Sequence, residues 1–339
     1  MVTIKTSAAP RQGVAGKEQS LARLLKQGRV LPVISGEALE DLALGGHQRI
    51  VAGYAEHVGY PLPDRDQLHT MVKYQSLTTG WADRQLKQDY LDEMAGRVYE
   101  LAGEQGVDDD TREEAVAESS GLSVSQFAAR LGYPRLDQGT EDPLLILANL
   151  RLPIYLTTSP LTFVEEALRR AGVKEVKSDF LRWRVELDSL PSVLAAQGKG
   201  NDYRPSQAEP LVYHLFGLDT YPESLVLTED DYLDYLMASA QGRGKDRGVD
   251  PVDDVVKAAL QTSALLLLGF SLSSWAFRTL YRVLIRPMPE KKLYERCCVQ
   301  LAPSEQEKLY LESYLRQDAH FDQVFWEPID LFCRRELRP

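Results

Sequence analysis

Cysteine is scarce, with three in 339 residues. Cys297 and Cys298 are adjacent and Cys333 stands alone. That spacing excludes a disulfide framework and the CxxC pairs of a structural zinc site, and it points to a reducing, cytoplasmic setting. Long apolar runs are missing too. The longest, at residues 264–270, falls far short of the ~20 residues a membrane helix needs. Positive charge is in deficit, with 39 Lys and Arg against 50 Asp and Glu and a formal net charge of -11. Phosphate-led affinity requires clustered cations, so direct contact with nucleic acid is disfavoured. The opening MVTIKTSAAPRQGVAGKEQS lacks the apolar segment of a secretion signal and reads as a disordered leader over residues 1–19. HExxH, Walker A, GxSxG, GxGxxG and EF-hand patterns are all absent, which removes the commonest zincin, P-loop, hydrolase, dinucleotide-loop and calcium readings.

What is present is the composition of a soluble globular protein, 44% hydrophobic and 26% charged, long enough for one large or two modest domains. LARLLKQG has helical spacing and leads into the buried-strand run VLPVI. Residues 37–131 then keep helical apolar spacing almost throughout, punctuated by Gly45-Gly46, by Pro61 and Pro63, and by an acidic patch at residues 108–114. After Asp142-Pro143 short apolar runs alternate with helical stretches. The strand candidates are LPIYL, VKSDFLRWRV, PLVYHLFG, SLVLT, ALLLL, ERCCVQL and QVFW, the last closing the chain. Alternation of this kind predicts an α/β fold, a parallel sheet with helices on both faces. It is formed by residues 20–36 and 143–339, with residues 37–142 as a helical insertion module.

In such sheets ligands bind outside the carboxyl ends of the strands, at the point where strand order reverses. The candidate edges are therefore Ser35-Gly36, residues 157–160, residues 214–217 and Gly269-Phe270-Ser271. The last would present N–H groups and a hydroxyl at a helix start, suited to a phosphate or a ribose hydroxyl; as a purely structural feature it is a tight turn with a Ser cap. His214 alone of the five histidines lies within an apolar strand-like run beside a glycine. It is either a proton acceptor near neutral pH or a buried histidine bonded to a carbonyl. The acidic run at residues 229–234 favours the positive end of a helix, with Thr228 as its cap. QGRGKDRG at residues 241–248 and LRRAG at 168–172 read as solvated positive patches. Trp275, Phe277 and Tyr281 read as helix contacts with the sheet.

Taken together, the segments GRVLPVISGEAL, LPIYLTTSPLTFVEEAL, PLVYHLFG, SLVLTEDDYLDYL and SALLLLGFSLSSWAFRTLYR resemble the SIR2-like family of bacterial conflict and antiphage systems, relatives of the sirtuins. The similarity spans residues 28–301. It implies a Rossmann-like NAD+ site and, in many members, cleavage of the nicotinamide N-glycosidic bond through an oxocarbenium-like ribose. By matched position His214 would be the general base, and Ser159 stands where the family usually has an Asn that positions water. Ser35 and Gly36 would line the pyrophosphate, Gly269 and Ser271 would hold the adenosine-side ribose or phosphate, and Thr158 and Gly217 complete the NAD-binding set. Two departures stand out. Glu37 brings a carboxylate beside the pyrophosphate position, and Ser159, followed by Pro160, has a shorter reach than Asn and no amide. The four-cysteine zinc module of sirtuins is absent, so neither a metal nor protein deacetylation is implied. The resemblance implies an NAD+ glycohydrolase effector of antiphage defence, a homo-oligomer triggered by a sensor or effector protein partner. The alternative is a weak or inert SIR2-like module that binds NAD+ or a related nucleotide as sensor or oligomerisation scaffold.

Overall fold

The computed structural model describes residues 21–194, 203–241, 252–271, 274–285, 296–300, 305–315, 321 and 323–338. The leader expected over residues 1–19 and most of the basic stretch at 241–248 lie outside them. Residues 21–26 are helical and lead into β1 (Val30–Ile34). Helices follow: α1 (Gly36–Ala43), α2 (His47–His57), α3 (Leu68–Thr79), α4 (Asp83–Glu104), α5 (Asp109–Ala117) and α6 (Val124–Arg130). The chain then runs through α7 (Pro143–Asn149), β2 (Ile154–Thr157), α8 (Phe163–Arg170), β3 (Lys177–Phe180), β4 (Leu211–His214), α9 (Glu229–Gln241), α10 (Asp254–Thr262) and β5 (Ala264–Leu268). It ends with α11 (Trp275–Leu280), β6 (Arg296–Gln300), α12 (Glu305–Ser313), β7 (Gln323–Trp326) and α13 (Ile329–Glu336).

The strands form one seven-stranded sheet in the order β3-β4-β2-β1-β5-β6-β7, and every neighbouring pair is parallel. A parallel sheet needs cover on both faces, and the alternation of side chains along each strand supplies it. Leu31, Val33, Leu156, Leu265 and Leu267 pack on one face with Tyr235, Val256, Leu260, Phe277 and Leu280 of α9 to α11. Val30, Ile34, Tyr155, Leu266 and Leu268 pack on the other with residues of α1, α7, α8 and α13. Each such buried side chain contributes about 1.5–3 kcal/mol of transfer free energy. This is a Rossmann-like α/β architecture. Chain order reverses between β1, which continues toward β2, and β5, which continues toward β6.

A third core belongs to the helical segment between β1 and α7. It gathers Tyr54, Tyr90, Met94, Val98 and Phe127, but also Leu161, Phe163, Leu225 and Leu227 from beyond that segment. A buried ion cluster joins the same two parts. Lys87 on α4, with no exposed surface, places Nζ 3.1 Å from Asp231 in the first turn of α9. Arg184 reaches the same oxygen at 2.6 Å. The other Asp231 oxygen accepts from the Leu227 and Thr228 N–H groups at 3.0 and 2.9 Å.

Several sequence expectations change. SLVLT is not a strand: Pro222–Ser224 is a 3-10 turn, the Val226 N–H goes to the Phe216 carbonyl, and the next two N–H groups are taken by Asp231. VKSDFLRWRV is a strand only over Lys177–Phe180, after which the Leu181 N–H makes the last ladder bond to His214. The acidic patch at 108–114 is no loop. Asp108 caps α5, accepting from the Thr111 N–H, and Asp109 and Asp110 occupy its first turn, where carboxylates meet the positive end of the helix dipole. The chain does not close on QVFW, because α13 follows and buries Ile329, Phe332 and Cys333.

Candidate functional site

The carboxyl ends of β1, β2 and β5 open into a cleft of about 1440 Å³ at the point where strand order reverses. Drug-sized ligands occupy pockets of roughly 300–1,000 Å³, so this one has room for a larger, two-ring compound. Its floor carries Ser35, Gly36, Thr158 and Ser271, and residues of α1 to α4, α9 and α11 form its walls.

The turn after β1 is bonded almost entirely to the chain itself. The Ser35 hydroxyl accepts from the Ala38 N–H at 2.9 Å, capping α1, and donates to the Gly269 carbonyl at 2.7 Å. The Gly36 N–H donates to Thr158 Oγ1 at 2.8 Å. The Ser271 N–H donates to the Glu37 carboxylate. These bonds stitch β1, β2 and β5 together at their carboxyl ends. Ser271 does not open a helix, because α11 begins later, with Ser274 as its cap accepting from the Phe277 N–H at 3.2 Å.

Carboxylates dominate this end of the cleft. Burial raises the Glu37 carboxyl to about 7, with Glu40 and Asp41 adding to the rise against the opposing pull of His47. The His47 ring lies 2.6 Å from the buried Glu40 carboxylate. Burial works against its charge, but Glu40 outweighs that and holds the imidazole up at about 9. Both shifts have the same consequence. A folded value above the unfolded one gives stability that is fully present below the unfolded pKa and lost as pH rises through the folded one. For Glu37 that window runs from 4.5 to about 7, and for His47 from 6.5 to about 9. Between pH 9 and pH 6.5 the melting temperature is expected to rise, by an amount equivalent to about 1–2 kcal/mol for a partly exposed pair. His47→Gln should remove most of that slope. A wild-type melting temperature that stays flat across the window would contradict the pairing.

His214 is not in the cleft. It has no exposed surface; Nδ1 lies 2.7 Å from the Ser159 carbonyl and Nε2 2.9 Å from the equally buried Glu165. The Ser159 carbonyl is an acceptor, so Nδ1 carries a proton, while Nε2 shares its hydrogen bond with the Glu165 carboxyl group. Burial opposes the charge, but Glu165 and the Ser159 carbonyl raise the imidazole above its ordinary value. With both ring nitrogens engaged and no exposed surface, the ring lies outside the cleft in which the sequence predicts a general base. Ser159 is also buried, its hydroxyl accepting from the Leu161 N–H at 3.1 Å. Gly217 and Gly269 lie behind the cleft wall and serve packing. Both have positive φ, and a Cβ on Gly269 would come 2.4 Å from the Ala38 Cβ. Of the eight candidate residues, the structure brings Ser35, Gly36, Thr158 and Ser271 together in the cleft, and His214, Ser159, Gly217 and Gly269 behind it.

The residues that sequence reasoning passed over lie on the other walls. Beside Gly217 the side chain facing the cleft is Phe216, which has no proton to exchange. It meets Tyr232 at a ring separation of 5.5 Å, Tyr232 meets Trp275 at 6.0 Å, and Trp275 meets His69 at 5.9 Å. Such a wall suits the face of a heterocyclic ring. Trp275, expected as a sheet contact, belongs to this wall, whereas Phe277 is in the core. Among the described residues no group of His, Cys, Asp and Glu could hold a metal ion, and no helix is long and apolar enough to cross a membrane.

A parallel sheet with a ligand-sized cleft at its reversal point is the doubly wound α/β architecture, whose ligands bind in that crevice. Comparison with known families narrows that class: residues 153–318 match the family model described as SIR2-like domain. Over that span the chain is similar to the SIR2-like domain family. No curated protein matches it.

Proposed function

We propose that this protein is a SIR2-like module that binds NAD+ or a related nucleotide in its cleft and turns it over slowly or not at all. The observation that carries this reading is the pairing of an open cleft with a sealed His214, whose ring is spent on Ser159 and Glu165. The SIR2-like match supports the ligand class, and the volume and aromatic wall of the cleft support a dinucleotide. Residues 20–36 and 143–339 form the Rossmann-like unit and residues 37–142 the helical insertion. The setting is cytoplasmic, and the module works as a homo-oligomeric sensor or scaffold with a protein partner.

A second reading is an NAD+ glycohydrolase effector of antiphage defence, and one observation favours it. Glu37 and Glu40 line the cleft, and carboxylates beside a ribose would stabilise an oxocarbenium-like transition state. Calorimetry with NAD+ and a nicotinamide-release assay decide between the two. Saturable NAD+ binding is expected, with release at the level of the buffer blank whether or not a partner protein is added. Release that saturates with NAD+ and is lost in Glu37→Gln or Glu40→Gln would establish the second reading instead.

A further inference from the structure

The cleft has two ends of opposite character. At the β1 edge, where sheets of this kind offer N–H groups to an anion, the Gly36, Ala38 and Ser271 N–H groups are already engaged. Thr158 accepts from Gly36, Ser35 from Ala38, and the Glu37 carboxylate from Ser271. Glu37 itself fills the place of an anion, with Glu40 and Asp41 beside it. Positive charge lies elsewhere. Of the arginines lining the cleft, Arg49 is paired with Glu104. Arg278 and Arg282 are exposed and form no ion pair among the described residues. They follow Trp275 on the continuous helical segment formed by α11 and the π turn Tyr281–Ile285. Positions three and seven beyond Trp275 return to the same helix face, and all three side chains line the cleft.

We propose that Arg278 and Arg282 form the anion subsite of this cleft, so that a phosphorylated nucleoside binds with its phosphate on that lip and its base against Trp275 and Tyr232. The inference rests on the nucleotide reading above and reverses the polarity expected from the β1 turn. Guanidinium groups match phosphate oxygens in planar, two-point hydrogen bonds. Trp275 and Arg282 are separated by about 10 Å along a helix axis, a span that side chains of this length bring within the reach of one nucleotide.

The test is calorimetric titration of the full chain with NAD+ and with adenosine, using wild type, the double variant Arg278→Gln/Arg282→Gln, and Glu37→Gln. Both arginines are exposed, so the double variant is expected to fold. NAD+ binding should weaken about ten- to a hundredfold in the arginine variant, adenosine binding should change less than about twofold, and Glu37→Gln should shift NAD+ affinity less than about threefold. Equal NAD+ affinity in all three forms would overturn the subsite and leave the nucleotide reading standing. So would unchanged affinity in the arginine variant with much tighter binding in Glu37→Gln, which would place the phosphate at the β1 turn. If neither compound binds any form, the nucleotide reading fails and the subsite with it.

Discussion

Replacing Gly217 with alanine is expected to leave little or no stably folded protein. Its φ of +94° lies where a side chain costs about 1–2 kcal/mol. The larger effect is steric: an added Cβ would come 2.4 Å from the Ser224 carbonyl oxygen, 2.5 Å from its carbon and 2.7 Å from the Leu225 nitrogen. These are backbone atoms, and they are held in place. The Trp183 indole N–H donates to the Ser224 carbonyl at 2.9 Å, and the Ser224 hydroxyl accepts from the Leu218 N–H at 2.9 Å. Nothing flexible can give way, so the loss should exceed about 4 kcal/mol, a large part of the roughly 5–15 kcal/mol typical of a folded domain. Gly121 is the control, with φ of +80° and open space, free of other atoms within 4 Å, where a Cβ would stand. Gly121→Ala should therefore cost only the backbone penalty, about 1–2 kcal/mol. Soluble yield and denaturation midpoints compare the two. Equal midpoints would mean that the Ser224 turn yields where its hydrogen bonds say it cannot.

His214→Ala is the second large effect, and it concerns stability rather than chemistry. It strips the proton donor from Glu165, a fully buried carboxylate whose Oε2 already has no partner. Breaking one side of a buried pair typically costs about 3–5 kcal/mol. The bound Ser178 hydroxyl, 2.7 Å from Glu165 Oε1, is a weak substitute for the imidazole. The double variant Glu165→Ala/His214→Ala should lose less than the sum of the single changes, because no charge is then stranded. Since the imidazole is raised in the folded chain, the stabilisation is fully present below its ordinary value and fades as pH climbs through the raised one. Whatever His214→Ala remains folded should bind NAD+ as wild type does. If the variant melts like wild type but loses NAD+ binding, the ring contributes to the ligand site and the structural role falls.

The contrast between His214 and Phe216 shows where the sequence stops being informative. Val30–Ile34 and Ala264–Leu268 read easily as central strands because they are continuous apolar runs ended by Ser-Gly and Gly. Their alternation with helices predicts the parallel sheet, and the strand ends lead to Ser35, Gly36, Thr158 and Ser271. A strand buried on both faces, however, carries no polar alternation to show which side chains face which way. PLVYHLFG therefore offers a histidine and a phenylalanine with nothing local to tell that the phenylalanine meets the cleft. SLVLT has strand composition, yet composition is blind to partners, and here the partners are Phe216 and Asp231. The aromatic wall was hidden for a related reason. His69, Phe216, Tyr232 and Trp275 come from four separate segments, and only the fold brings them together.

The bond between Lys87 and Asp231 has a bearing on how such a molecule can be shortened. The boundary suggested by pattern, near residues 37 and 142, looks like a natural place to cut. A truncation there would strand Asp231 without its ammonium partner and uncover Leu161, Phe163, Leu225 and Leu227, which belong to the third core. The walls of the cleft are thus inseparable from its floor. A chain cut there would keep Arg184 as the cation beside Asp231 but would need a new cover for those four hydrophobic side chains.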